Sequence, residues 1–196
     1  TISGTSDAGL TAYGISIDSR TTKKADAFIA IRGDKFDGHD FLSDAARAGA
    51  VFAVVEKVPE NCPIPCVVVE DTRRALGSIA HAYRQLFRTI SVAVTGSVGK
   101  TTTKQFIYSV LDTKYRTNES HGNFNNEIGL PLTLLGLTAV HKALVVEMGM
   151  NHRGEISELS KMVEPDISVI TGIGTAHIEN LGTRENIRDA KMEIID

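Results

Sequence analysis

Lys100 and Thr101 close the stretch Thr95-Gly96-Ser97-Val98-Gly99-Lys100-Thr101-Thr102, in which two glycines separate an apolar run from a helical pattern. These residue types suit phosphate. Gly96 and Gly99 allow a tight turn and let the backbone approach a ligand where a Cβ would obstruct it. Ser97, Val98 and Thr102 complete the loop. A helix start carries unpaired N–H groups and roughly half a positive charge, which favours anions. Lys100 adds a full charge toward the β- and γ-phosphates of a nucleotide, and Thr101 adds a hydroxyl for Mg²⁺. The common phosphate-loop pattern has a further small residue where Val94 stands, so the form here is a shortened Gly-x-x-Gly-Lys-Thr-Thr. The competing reading is a plain glycine turn before an ordinary helix. Strand, glycines, lysine, hydroxyls and helix nevertheless stand in the order that phosphate binding requires.

Other residues could join this chemistry. Glu147 follows the apolar run Ala143–Val146, at the point where a buried strand leaves the core. A carboxylate there can hold Mg²⁺ against nucleotide phosphates, or can simply be a solvated strand end. His177 follows the next apolar run, Ile167–Ile170, and its place beyond a strand end favours a functional role over a structural one. The loop from His121 to Asn126 holds amides, Asn125 and Asn126 among them, that suit substrate hydrogen bonds or a plain polar loop equally well. Lys191, in Asp189-Ala190-Lys191-Met192-Glu193, reads from its own neighbours as a helix-surface lysine.

The elements that would position these groups alternate. Ile90–Val94 is β-branched and apolar, as in a central strand. The helix after Lys100 presents Phe106, Ile107, Val110 and Leu111 on one face. A polar loop covers Asn118 to Asn126, a short helix Ile128 to Leu137, and an amphipathic helix Glu155 to Val163. Strands alternating with helices imply a parallel doubly wound sheet, in which ligands bind beyond the carboxyl ends of the strands. Before Arg88 the pattern is a smaller α/β unit. It has short extended pieces in residues 1–20, then strands at Phe28–Ile31, Val51–Val55 and Cys66–Val69. A helix from Phe41 to Ala48 has Asp40 as its expected cap and Gly49 as its stop. A longer helix runs from Thr72 to Arg88 behind Asp71. The expected domains are therefore 1–88 and 89–196.

Composition sets limits. The 196 residues are 42% hydrophobic and 23% charged with a net charge of −3, which gives no electrostatic case for nucleic acid or a membrane surface. No apolar run approaches the roughly 20 residues of a membrane span. Cys62 and Cys66 flank Pro-Ile-Pro, which favours an extended path that keeps the thiols apart. Two free thiols fit a reducing cytoplasm, and two ligands alone make no structural zinc site.

Taken together, several stretches resemble the Mur ligases. They are Thr95–Lys104, Gly122-Asn123-Phe124-Asn125-Asn126-Glu127-Ile128-Gly129-Leu130-Pro131, Glu147-Met148-Gly149-Met150-Asn151, His177-Ile178-Glu179 and Ala190–Ile194. The N-terminal Asp18-Ser19-Arg20 and Phe36–Phe41 match the first domain of the same family. The closest likeness is to the branch that adds D-Ala-D-Ala to UDP-N-acetylmuramoyl-tripeptide. The resemblance implies a substrate domain, a central domain for ATP and Mg²⁺, and a third domain that closes over them. It implies a fragment here, inactive alone, with the third domain absent.

By the same resemblance, Lys100 and Thr101 serve ATP and Mg²⁺, and Glu147 and His177 belong to the metal sites. Lys191 matches a lysine carbamylated in the family, which turns a cation into an anionic ligand. Ser19, Arg20, Gly38 and His39 fall at the UDP-muramoyl site, and Asn125 and Asn126 near the junction of nucleotide and substrate. The implied reaction is an acyl-phosphate ligation in the cytoplasm by a monomer. Four alternatives stay open: a sibling that adds a single amino acid, a folylpolyglutamate-type ligase, a phosphate-loop kinase, and a non-catalytic UDP-sugar-binding module that would not need Lys100.

Overall fold

The computed structural model of the chain describes residues 9–33 and 35–195. The extended pieces expected in residues 1–8 lie outside the described residues, as does Asp34. The chain divides into two compact units, Thr1–Leu76 and Gly77–Asp196.

In the first unit, four short strands form one parallel sheet in sequence order: β1 (Gly14–Ser16), β2 (Asp26–Ile29), β3 (Phe52–Val55) and β4 (Cys66–Val68). Phe28, Ala30, Leu42, Ala45, Ala53 and Val55 build its core. Helix α1 (Leu42–Ala48) ends as expected at Gly49, whose φ of 103° is the left-handed conformation that suits glycine. Its expected cap is corrected. Phe41, not Asp40, holds the cap position, and no side chain bonds there. A 3₁₀ turn, Gly38–Phe41, runs directly into α1, so the open N–H groups belong to that turn. Asp37 stands before them and accepts from the His39 N–H.

The thiols are also corrected. Cys62 and Cys66 are free, but their sulfurs lie 3.2 Å apart rather than being held away from each other. The two prolines fix only their own φ angles, and the chain bends between them so that both thiols donate to the Ile64 carbonyl.

Helix α2 (Thr72–Arg84) starts on Asp71, whose carboxylate accepts from the N–H groups of Arg73 and Arg74. It stops short of the expected Arg88, and Leu86 is 74% exposed beyond its end. The division between the units falls inside this helix.

The second unit contains β5 (Ile90–Thr95), α3 (Lys100–Asp112), β6 (Thr117–Glu119), α4 (Gly129–Leu135), β7 (Ala143–Glu147), α5 (Glu155–Val163), β8 (Ile167–Ile170), α6 (Ile178–Leu181) and α7 (Arg184–Met192). The sheet order is β6-β7-β5-β8, all parallel. Val92, Val94 and Val145 face Ile107, Tyr108 and Leu111 of α3. Ala93, Leu144 and Val146 pack the other way, with α4, α5 and α7. Both faces of β5 and β7 are therefore covered, which explains their unbroken apolar runs.

Two expectations fail here. Phe106 and Val110 are 68% and 69% exposed, so only half of the apolar face of α3 is used. Thr117–Glu119, taken partly as loop, is the edge strand β6, and its polar residues carry no apolar alternation to announce it.

Buried charge ties α3 to β6. Lys104 is 3% exposed, pairs with Glu119 at 2.8 Å and donates to the Ser120 carbonyl at 2.5 Å. Breaking such a pair from one side leaves an uncompensated buried charge and costs about 3–5 kcal/mol. Lys104→Met should lose stability on that scale in urea unfolding, and adding Glu119→Gln should restore much of it. A Lys104→Met chain as stable as the wild type would contradict this pairing.

Candidate functional site

Because β5 lies between β7 and β8, three strand ends stand side by side. The glycine loop leaves β5, Glu147 ends β7, and Thr171 to His177 follow β8. The loop is held from both sides. Thr95 Oγ1 donates to the Met148 carbonyl beyond β7. Toward β8, Ser97 N–H donates to Gly172 O, Gly174 N–H to Ser97 Oγ, and Thr171 Oγ1 to Val98 O. Gly96 has φ 152°, and a Cβ there would lie 1.9 Å from Thr171 Oγ1. Gly99 caps α3 at φ 80° without a side-chain bond, so the first N–H groups of the helix stay available to an anion. The Lys100 ammonium folds back and donates to the Gly96 carbonyl at 2.9 Å. Thr102 is exposed in the first turn of α3, as is Val98 in the loop.

Glu147 is 4% exposed. Its carboxylate accepts from Thr101 Oγ1 at 2.6 Å and from Asn125 Nδ2 at 2.9 Å. Its backbone N–H donates to Ser120 Oγ at 3.0 Å. Both side-chain partners are neutral, and among the described residues it has no ion-pair partner. A buried carboxylate with only neutral donors is costly unless a cation joins it. Thr101 and Glu147 together therefore fit a divalent cation. No three His, Cys, Asp or Glu side chains gather into a metal-holding cluster among the described residues. The remaining ligands would have to be waters and phosphate oxygens, as is usual for Mg²⁺.

Lys191 is 2% exposed, which overturns its reading as a surface lysine. Burial first, and the nearby charge of Lys100 second, push its amine down to about 8. The two lysines are thus brought within electrostatic reach. His177 starts α6 with φ 66°, a left-handed conformation unusual outside glycine. Among the described residues it belongs to no group of three or more acidic, imidazole or thiol side chains that could hold a metal. Asn125 and Asn126 part company. Asn125 reaches Glu147, while Asn126 Oδ1 accepts from the N–H groups of Ile128 and Gly129 and so orders the start of α4.

The first unit's candidates form their own group. Arg20 grips Asp18 through two nitrogens, at 2.6 and 2.9 Å, which holds the Asp18 carboxyl down at about 2. Ser19, half-buried, is the residue between them. His39 is committed inside its loop: Nδ1 lies 2.6 Å from Asp37 Oδ1, and Nε2 accepts from the Glu56 N–H at 3.0 Å. That leaves its ring to shape the loop. Gly38 has no room for a side chain, since a Cβ would meet Ile31 N at 2.7 Å.

Comparison with known proteins places this arrangement. The Mur ligase middle domain matches residues 94–196, and the Mur ligase family catalytic domain matches residues 11–84. The chain belongs to the Mur ligase family. Among curated Mur ligases it is 45% identical over 188 residues to UDP-N-acetylmuramoyl-tripeptide–D-alanyl-D-alanine ligase of Bacillus subtilis, covering 94% of this chain and 41% of that one. The Escherichia coli protein of the same name is 36% identical, with 95% and 41% covered. A crystal structure of MurF from Acinetobacter baumannii superposes with a TM-score of 0.87 at 42% identity, covering 92% of this chain and 40% of that one. MurF from Thermotoga maritima in complex with ADP gives 0.87 at 39% identity, covering 95% and 43%. The chain thus spans about 40% of the length of the relatives it matches.

Sequence reasoning missed several residues of this Mur ligase chain that hold the candidate site. Ser120 and Lys104 support Glu147 through the backbone, and Thr171 clasps the glycine loop. No local pattern marks Ser120 or Thr171, and Lys104 stands only at the end of a matching stretch with no role read for it. Asp37 was seen only as part of a matching stretch, yet it organises the first unit's loop. Backbone and side-chain bonds from His39, and that of Arg32, hold its carboxyl at about 2, below the ordinary 3.8. A depressed carboxyl adds stability above its unfolded value and loses it as pH falls through the folded one. Asp37→Asn should therefore lower stability at neutral pH and flatten the loss between about pH 4 and 2, read by thermal melts across that range. An unchanged acid limb would rule out this contribution.

Proposed function

We propose that this chain supplies the substrate-holding and nucleotide-holding parts of an ATP-dependent ligase that joins D-Ala-D-Ala to UDP-N-acetylmuramoyl-tripeptide. The observation that carries this reading is the buried carboxylate of Glu147, held by the neutral donors Thr101 and Asn125 at the mouth of a phosphate loop. Relatives that match more than nine-tenths of the chain, and are named for that ligation, give the reaction its substrates. The ADP-complexed neighbour supports a nucleotide at the glycine loop.

In this reading the open N–H groups from Gly99 to Thr102, at the start of α3, and the Lys100 ammonium receive the phosphates. Lys100 would release the Gly96 carbonyl to do so. Thr101 and Glu147 would hold Mg²⁺, which supplies charge compensation and orientation for phosphoryl transfer. The tripeptide carboxylate attacks the γ-phosphate of ATP, breaks its bond to the bridging oxygen and releases ADP, giving an acyl phosphate; the amine of the dipeptide then attacks the acyl carbon, expels phosphate and loses a proton. No protein nucleophile takes part. Asn125 fixes one oxygen of Glu147 and leaves the other to Thr101. Lys191, with its amine lowered to about 8, has a larger neutral fraction than an exposed lysine. The neutral amine is the form that adds carbon dioxide, and the resulting carbamate would be anionic. Ser19, Arg20 and the backbone around Gly38 and His39 would bind the UDP-muramoyl end. The reaction belongs in the cytoplasm, where ATP is supplied. No helix among the described residues is long and apolar enough to cross a membrane.

The test is a chimera in which this chain replaces the matching part of the Bacillus subtilis relative. Phosphate release from ATP should require both UDP-muramoyl-tripeptide and D-Ala-D-Ala. Equal release with a single amino acid would instead indicate a sibling ligase, and release without the dipeptide would contradict the ligation. In the same chimera Lys191→Ala should lower turnover by about 100-fold or more, with partial recovery in short carboxylic acids. Full activity in that variant would remove the carbamate.

A further inference from the structure

The first unit carries a pair of groups that the proposed ligation does not use. Cys66 opens β4, the last strand of its sheet, and pairs in register with Ala53 of β3. Cys62 lies four residues earlier, across Pro63-Ile64-Pro65. The sulfurs are 3.2 Å apart, and both thiols converge on one acceptor, the Ile64 carbonyl, at 3.3 and 3.5 Å. Both cysteines are half-buried, so neither is sealed from solvent. Two prolines in a three-residue connection limit the conformations the loop can lose, which favours ring closure. Cys66 is anchored by strand pairing, and both cysteines pack on the core of their unit.

We infer that Cys62 and Cys66 form a positioned dithiol that reduces small disulfides and closes to an intramolecular disulfide. The balance is that of thiol–disulfide exchange. One cysteine thiolate attacks a sulfur of the small disulfide, whose S–S bond breaks and releases one small thiolate. The second cysteine then attacks the protein sulfur of the mixed disulfide and releases the other. Two electrons pass from the cysteine pair to the small disulfide. The two cysteine protons end on the two released thiols. The resting protonation supports the order of these steps. Burial and the neighbouring Cys62 push the Cys66 thiol up to about 12, so the first attack falls to Cys62.

Oxidised glutathione is the probe, added to the 196-residue chain after reductant is removed. Mass spectrometry should show a chain lighter by two hydrogens, with no adduct and no second chain attached. Cys66→Ser should stop at one glutathione adduct on Cys62. Equilibrium against a graded glutathione redox buffer separates positioning from mere nearness in sequence. The folded chain should favour the closed form by about tenfold or more over the same chain in urea, a potential lower by about 30 mV. A folded chain that closes no better than the unfolded one, or that gains two adducts and never closes, would overturn the proposal.

Discussion

The carboxylate of Glu147 is taken out of water and held by Thr101 and Asn125, neither of which carries charge. Much of the second unit exists to make that placement possible. A carboxylate at the carboxyl end of β7 reaches α3 only because β7 pairs directly with β5, whose loop starts that helix. Ser120 fixes the backbone at Glu147, and Lys104 fixes Ser120 from the second turn of α3. The helix that presents the loop's hydroxyl is thus also the helix that braces the acid. Displacing either would move both.

The glycine loop meets the same constraint from its other side. Its backbone cannot close over a ligand unless it is held open, and the residues that follow β8 hold it through Ser97 and Thr171. Gly96 is where the clasp is tightest, and no side chain fits between it and Thr171. Phosphate chemistry and packing therefore ask for glycine at the same position. Lys100 bonds the Gly96 carbonyl, and its charge is felt by the buried amine of Lys191. One exposed loop and one buried lysine are coupled in this way, although more than eighty residues separate them in sequence.

What could be read from the residues alone was whatever local order expresses. The loop, the strand before it and the acid at the next strand end follow from apolar runs and glycine spacing. So does the doubly wound sheet, because strands covered on both faces have unbroken apolar runs. Three kinds of feature were not legible. Lys191 looks like a surface lysine because the flanking Asp189 and Glu193 are polar, and only tertiary packing buries it. The strand β6 is polar and short, so its pairing with β7 is decided by the sheet edge rather than by its own residues. Cys62 and Cys66 mislead in the opposite sense, since prolines that suggest an extended path here allow a bend that joins the thiols. The resemblance to Mur ligases adds what spacing cannot, above all the proposal that Lys191 becomes an anionic ligand.

The central claim is that Glu147 and Thr101 make a cation site for the nucleotide that the glycine loop binds. Calorimetric titration of ADP into the chain, with and without Mg²⁺, tests it most directly when repeated on Glu147→Gln. The wild type should bind ADP more tightly with Mg²⁺, by about tenfold or more, equivalent to roughly 1.4 kcal/mol. Glu147→Gln keeps the size of the side chain but removes the charge and one acceptor, so it should lose that gain while still binding ADP alone. A Glu147→Gln chain that keeps the full benefit of Mg²⁺ would contradict the claim.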